Sequence, residues 1–201
     1  MSNPFPLGGA NIVILARNYN PSIVSKEWLY EKNIVREAVT NFVHTPPLSL
    51  VETERISFVL NESRLQISLK SVTPENIEIL PRIATSFVSC LPETPFTSIG
   101  LNYIYYVPKE SSRVKTLFAL DDTKLKEVFS ENCEVGVIVS FPFKEFIVRM
   151  STPPSRGGAA RVTIDFNFHS DCREVEQVKE RLKLHSQTME KAEEILRGLS
   201  K

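Results

Sequence analysis

The sequence lacks the cysteine pattern of a disulfide framework or a zinc finger. Its three cysteines (Cys90, Cys133 and Cys172) are far apart, and no C-x-x-C pair occurs among the 201 residues. Disulfide-rich secreted domains and zinc fingers need more cysteines at closer spacings, so both classes are excluded. We therefore expect reduced thiols that are mostly buried as small apolar residues.

Charge of one sign is not in excess. Lysine and arginine number 24, and aspartate and glutamate number 24, so the formal net charge is zero. A protein whose main task is to cover a phosphate backbone carries clustered positive charge. The balance argues against that class. A nucleic-acid partner would have to bind one local basic surface, which forms only if the strands that carry its residues are neighbours. Those residues are Arg55, Arg64, Lys70 and Arg161.

Long apolar runs and targeting signals are also missing. No stretch approaches the run of about 18 apolar residues that spans a membrane. Residues 1–9 lack the basic start and apolar block of a signal peptide, so we expect a cytoplasmic protein without a membrane partner. The motifs G-x-S-x-G, H-E-x-x-H and G-x-G-x-x-G do not occur, so no cofactor is predicted and the sequence leans away from an enzyme.

Alternation of apolar and polar residues predicts strands along much of the chain. Residues 48–60 and 64–70 alternate on either side of a short turn and predict an antiparallel hairpin. A second hairpin is predicted near the end of the chain, with a tight link at 142–144. The strands predicted from alternation or from a short apolar run span residues 11–17, 48–60, 64–70, 98–107, 134–141, 145–151 and 161–169.

Apolar residues spaced three and four apart predict helices between these strands. One helix is expected to begin near Ser25. Another is expected to begin at Thr73, as the N-cap, with Pro74 at its first position, and to end before Pro92. A further helical region is predicted over about 112–129.

The end of the chain predicts one long helix with a single apolar stripe. Ser170 or Asp171 is expected to be its N-cap, and Glu174 would complete a capping box. The stripe would serve either as a cover for the sheet or as the contact of a homodimer, since both arrangements bury one apolar face. The candidate interface residues on the stripe are Val178, Leu182, His185 and Met189.

The order of the elements predicts an α+β fold. Hairpins mixed with segregated helices favour a mostly antiparallel sheet with helices packed on one face, ending in a long C-terminal helix. We expect one domain over 1–201, with two fused halves of about 1–108 and 109–201 as the alternative. The opposite face of the sheet would then present polar side chains to solvent or to a partner.

Three short stretches carry a resemblance to a known family. The strand at 99–104, the Ile-Asp pair at 164–165 and the Leu-His pair at 184–185 resemble stretches of a sporadically distributed family of uncharacterised prokaryotic proteins. Asn102 departs from that family, in which a basic residue is expected. The family has no established activity, so the resemblance implies only the order of elements and a prokaryotic cytoplasmic setting.

The best candidate for a ligand site lies on the last predicted strand. Asp165, Asn167 and His169 occupy alternate positions and therefore point to the same side. A carboxylate and an imidazole on one face suit ligand binding or proton transfer. Arg156 and Arg161 would bind an anionic group of the ligand. The alternative is a solvated sheet face. No second group of metal-ligating side chains lies nearby in the sequence, so no metal is predicted.

Cys172 is a second candidate, as a nucleophile. In the first turn of the predicted helix its thiol would have a lowered pKa, and His169 would be its base. Against this, side chains at a strand end and at a helix start need not converge.

The sequence thus leaves three functions open. The first is a non-catalytic cytoplasmic binding or assembly protein, whose partner is a protein or a second copy and whose surface is the exposed sheet face or the C-terminal helix. The second is a small-ligand-binding protein or enzyme that uses the Asp165, Asn167 and His169 face with loop arginines. The third is a nucleic-acid-associated accessory protein.

Overall fold

The computed structural model describes residues 5–108, 127–128, 136–153 and 161–199, and the predicted α+β class is confirmed. Nine described strands form one sheet in which every neighbouring pair is antiparallel. The strands are β1 (Leu7–Ala16), β2 (Asn41–Thr45), β3 (Leu48–Glu52), β4 (Ile56–Asn61), β5 (Arg64–Leu69), β6 (Phe96–Pro108), β7 (Val137–Phe143), β8 (Phe146–Thr152) and β9 (Arg161–Asp171).

The helices lie between and after these strands. Two begin where the sequence predicts: Ser25 Oγ accepts a hydrogen bond from the Trp28 amide, and Thr73 Oγ1 accepts one from the Asn76 amide. The predicted region at 112–129 lies outside the described residues apart from 127–128. The helices are α1 (Lys26–Glu31), α2 (Pro74–Ile77), α3 (Ile79–Ser89), α4 (Val175–Lys183) and α5 (His185–Leu199), with a 3-10 turn at Pro21–Ile23.

The strand order places β6 between the first and the last described strands of the chain. Along the sheet the order is β2-β3-β4-β5-β1-β6-β9-β8-β7. β6 has 13 residues and pairs with β1 on one side and with β9 on the other. Strands from both suggested halves therefore share one sheet, while the division of the chain into domains stays a prediction.

The two faces of the sheet have different surroundings. One face is apolar and packs against α3, α4 and α5; Phe58 on β4 meets Phe87 on α3 edge to face, with ring centroids 5.4 Å apart. The side chains of this inner face are almost completely buried, as at Ile12, Tyr103 and Phe168. No described helix packs on the opposite face, which we call the open face.

Two predicted strand boundaries were wrong. The predicted strand at 48–60 is two strands, since Thr53 Oγ1 accepts from the amides of Arg55 and Ile56 and turns the chain. The predicted link at 142–144 is also displaced. Pro142 lies within β7, where an outermost strand tolerates proline, and the turn falls at Lys144 with φ of 51°.

The predicted N-cap at Ser170 or Asp171 was wrong because both residues still belong to β9. Asp171 still pairs with Ser98, and the Cys172 amide donates to the Thr97 carbonyl at 3.1 Å. The helix begins only at Val175, and its N-cap makes no side-chain bond to it. The predicted long helix is interrupted at Leu184 and forms α4 and α5.

A candidate ligand site on the open face of the sheet

One row of aligned residues crosses all nine described strands on the open face. Aligned residues on neighbouring strands point to the same side of a sheet, so each strand contributes one side chain. None of the nine side chains is apolar, and we call this set the polar row. From β2 to β7 it consists of Asn41, Glu52, Ser57, Ser68, Asn11, Asn102, Asn167, Arg149 and Ser140.

Three asparagines at the centre of the polar row are joined by hydrogen bonds. Asn102 Nδ2 donates to Asn11 Oδ1 at 2.8 Å, and Asn167 Nδ2 donates to Asn102 Oδ1 at 2.6 Å. All three side chains are half-buried. Because the bonds run in one direction, the amide N–H groups of Asn11 and the amide oxygen of Asn167 are left for a ligand or water.

A glycine beside the row makes room for these amides. Gly100 lies on β6, two residues from Asn102 and on the same face. A Cβ atom at Gly100 would lie 3.1 Å from Asn167 Nδ2, which is tighter than ordinary contact, and 3.7 Å from Asn102 Nδ2. The absence of a side chain there therefore allows the Asn167 amide to lie against the sheet.

A shallow pocket of about 380 Å³ opens above the asparagines. It extends from β5 to β8, and arginines on these two strands stand at its opposite sides. Arg64 donates to Gln66 Oε1, and Gln66 Nε2 donates in turn to Ser68 Oγ at 2.9 Å. The lining residues are Asn11, Arg64, Asn102, Tyr103, Ile104, Arg149, Ser151, Asp165, Phe166 and Asn167.

Two charged groups in the pocket have no partner among the described residues. Asp165 is half-buried and makes no described hydrogen bond or ion pair; burial raises the pKa of its carboxyl. Arg149, on the next strand, is exposed and likewise makes no described polar contact. An unpaired carboxylate and an unpaired guanidinium thus line one pocket.

The predicted site residues are only partly brought together. Asp165 and Asn167 line the pocket, whereas His169 lies outside it and points its Nε2 atom towards Asp171 Oδ1 at 3.3 Å. Arg156 lies outside the described residues, and of Arg161 only the backbone is described, paired with Pro108.

Four other lining residues were not predicted as part of this ligand site. Asn11, Arg64, Asn102 and Arg149 come from four strands that are distant in the chain. Each is one polar residue in an alternating strand, so no local signal distinguishes it. Only the strand register brings them together.

The prediction that Cys172 has a lowered pKa was wrong. The residue precedes α4 rather than lying in its first turn, and burial raises the pKa of its thiol. Its side chain belongs to the core, whereas His169 lies on the open face. The imidazole is therefore not placed as its base.

The apolar stripe of the last helices packs within the chain. Val178, Leu182 and His185 are buried, and Met189 is partly buried against the same core. The stripe thus covers the sheet. His185 Nδ1 has no hydrogen-bond partner in the described part of the chain, and burial lowers the pKa of the imidazole to about 4.

A buried polar contact fixes the start of α5 to β6. The Tyr103 hydroxyl donates to the His185 carbonyl at 3.0 Å and lies 2.8 Å from Thr188 Oγ1. This contact lies on the inner face, on the opposite side of the sheet from the pocket.

The predicted basic surface is largely engaged in contacts within the chain. Arg55 Nε pairs with Glu37 Oε2 at 3.0 Å, and Lys70 Nζ donates to the Thr53 carbonyl at 3.1 Å. Arg64 is held by Gln66. The described side chains of Arg55, Lys70 and Arg64 thus each have a partner within the chain.

Two further observations concern metal and membrane. Within the described part of the chain, no group of three or more His, Cys, Asp or Glu side chains is arranged to hold a metal ion. Among the described helices, none is long and apolar enough to cross a membrane.

No protein-family model matches the chain, and no curated protein matches it either. The geometry of the open face is therefore the basis for a functional interpretation.

Proposed function

We propose that this chain is a non-catalytic cytoplasmic binding protein whose ligand site is the pocket above Asn11, Asn102 and Asn167. One observation carries the proposal. Three half-buried amides, from strands that are distant in the chain, are fixed by hydrogen bonds beneath a pocket that also holds a carboxylate and a guanidinium without partners among the described residues. Preorganised polar groups in a concavity are typical of ligand sites.

The arrangement is difficult to explain by stability alone. A carboxylate that is partly desolvated and has no partner destabilises a folded chain at neutral pH. Asp165 is in this situation although Arg149 lines the same pocket. Local costs of this kind are found where a site awaits a ligand.

The pocket supports binding more than catalysis. Covalent catalysis needs a nucleophile within hydrogen-bond reach of a base. The described lining contains neither histidine nor cysteine, and Ser151 has no described hydrogen bond to a base. Among the described lining residues Asp165 is the only carboxylic acid, and no imidazole or thiol stands beside it as a second acid or base.

Native mass spectrometry tests the proposal. The protein is mixed with the low-molecular-weight filtrate of a bacterial extract and compared with Asn102→Leu, which removes the central amide. Ser57→Ala, on the polar row but outside the pocket, is the matched control. Wild type and control should retain an added mass that Asn102→Leu loses. No added mass, or the same mass on all three proteins, would reject the proposed site.

Self-association through β7 is a second candidate function. β7 is an outermost strand of the described sheet and carries no charged residue, and the exposed fractions of Ile138 and Val139 are 58% and 41%. Uncharged exposed edge strands readily pair with a second chain. This observation favours assembly through a sheet edge, rather than through the helix stripe.

Sedimentation velocity across a range of concentrations tests this second candidate. Val139→Lys should shift a wild-type dimer to monomer. Val43→Lys, on the outermost strand β2 and at a site of similar exposure (42%), should leave the dimer intact. Wild type that stays monomeric at high concentration would remove the candidate.

A further inference from the structure

The charges of the pocket define a narrower ligand class, provided that the pocket is the ligand site of the proposed function. We infer that the pocket takes a small acidic amino-acid zwitterion, that is, an acidic amino acid or short acidic peptide with one ammonium and two carboxylate groups. Its ammonium group binds Asp165, its α-carboxylate binds Arg149, and its second carboxylate faces Arg64.

The positions of Asp165 and Arg149 leave room for a ligand between them. Arg149 is aligned with Asn167, two residues from Asp165 on β9, so the two charged residues are diagonal neighbours. Diagonal Cβ atoms are about 7 Å apart, within reach of long side chains. The two groups nevertheless form no ion pair. An ammonium group and a carboxylate of one small ligand would bridge them.

The acceptors on the same face as Asp165 match the number of donors of an ammonium group. An ammonium group has three N–H donors and no acceptor. Beside the Asp165 carboxylate lie the free amide oxygen of Asn167 and the hydroxyl of Ser151, which is aligned with Asp165 on β8. The pocket therefore offers three acceptors for three donors.

The other groups of the pocket are donors that suit carboxylates. The guanidinium of Arg149 can bind a carboxylate through two parallel N–H bonds. At the far side, Asn11 offers its free amide N–H groups, and Arg64 has donors beyond the one given to Gln66. A ligand that extends in this direction is therefore expected to end in an acceptor.

The net charge of the lining selects the same ligand class. Two arginines and one aspartate line the pocket, so at neutral pH the lining carries one positive charge in excess. A ligand with one ammonium and two carboxylates carries one negative charge in excess. The volume of about 380 Å³ exceeds that of a single amino acid and leaves space for a second residue.

Isothermal titration calorimetry with L-glutamate and glycyl-L-glutamate tests the inference. At least one probe should bind wild type with a Kd of about 1 mM or below. N-acetyl-L-glutamate, which lacks the ammonium group, and L-glutamine, which lacks the second carboxylate, should each bind at least tenfold more weakly.

Two variants assign the charges. Asp165→Asn and Arg149→Gln should each weaken binding by about tenfold or more, the usual effect of losing a charged hydrogen bond. The matched controls are Asp171→Asn, on the same face of β9 but outside the pocket, and Lys183→Gln, exposed on α4. Both controls should bind as wild type does, and cooperative unfolding of every variant shows that it folds.

Three results would overturn the inference. The first is that neither probe binds at a concentration 10-fold above the expected Kd. The others are that N-acetyl-L-glutamate binds as tightly as L-glutamate, or that Asp165→Asn binds the probes as tightly as wild type does. Failure here is distinguishable from failure of the proposed function. If an extract component still binds in a way that depends on Asn102, the site stands and only the zwitterion class is wrong. If no extract component binds either, the site itself is rejected.

Discussion

The side-chain amide of Asn167 donates a hydrogen bond to Asn102 Oδ1 at 2.6 Å, although the two residues are 65 positions apart. Asn102 donates in turn to Asn11, 91 positions away. These two hydrogen bonds, which we call the ladder of Asn11, Asn102 and Asn167, therefore connect β9, β6 and β1 on the open face. A shift of one residue in either pairing would turn the amides into the core, so the register that builds the core also builds the site.

Removing the central amide should cost stability as well as binding. Asn102→Leu loses both hydrogen bonds of the ladder, and at about 0.5–1.5 kcal/mol for each, partly offset at a half-buried site, we expect a loss of about 1 kcal/mol. Urea denaturation measures the free energy of unfolding, with Ser57→Ala as the control. Equal midpoints for Asn102→Leu and wild type would show that the ladder contributes nothing.

A side chain at Gly100 should disturb the site while sparing the fold. Gly100→Val places carbon atoms against Asn167 Nδ2, and valine is otherwise suited to a strand. We expect cooperative unfolding with loss of the ligand mass. Gly9→Ala on β1, where a Cβ would meet Ile104 at 3.7 Å, an ordinary contact, should keep the ligand. Retained binding by Gly100→Val would contradict the proposed geometry.

Neutralising Asp165 should stabilise the free protein at neutral pH. Folding raises the pKa of the Asp165 carboxyl. The free energy of unfolding therefore falls as the pH rises through that pKa. Asp165→Asn removes this loss, so it should gain about 0.5 kcal/mol at pH 7, a typical size for a half-exposed position, and nothing at pH 3. Thermal melts at both pH values measure the difference. A less stable variant at pH 7 would mean that the carboxylate has a stabilising partner.

Replacing His185 should protect the protein against acid. The imidazole has its pKa lowered to about 4 on folding, so stability is lost as pH falls from the unfolded value of 6.5 towards 4. Between pH 8 and pH 5 this amounts to about 2 kcal/mol. His185→Leu fits the apolar stripe and removes a nitrogen that has no partner. Its free energy of unfolding should therefore fall less between pH 8 and pH 5, and the same fall as wild type would exclude a buried neutral imidazole.

The sequence predicts the class of the fold and one strand of the site. Alternation at 161–169 places Asp165 and Asn167 on one face, where the structure also places them. The N-cap was mispredicted at Ser170 because Asp171 pairs with Ser98, a contact across more than seventy residues of chain. Local sequence patterns do not show that the backbone of Asp171 pairs with a distant strand instead of starting a helix.

The rest of the site depends on the strand register. Asn11, Asn102 and Arg149 stand in the polar row only because β1, β6, β9 and β8 pair with particular offsets. The sequence of each strand is compatible with several offsets, and alternation fixes only which side chains share a face. For the same reason Gly100 has no visible role until Asn167 is placed beside it.

The side-chain amide resonances of the asparagines report on the site most directly. In a nitrogen-15 correlation spectrum, assigned with single Asn→Asp variants, the protein is titrated with the ligand retained from the extract filtrate or with glycyl-L-glutamate. The proposed site predicts that the amide signals of Asn11, Asn102 and Asn167 move together and saturate, while those of Asn20 and Asn61, outside the pocket, stay in place. Unmoved signals from the three ladder asparagines upon saturation would contradict the account.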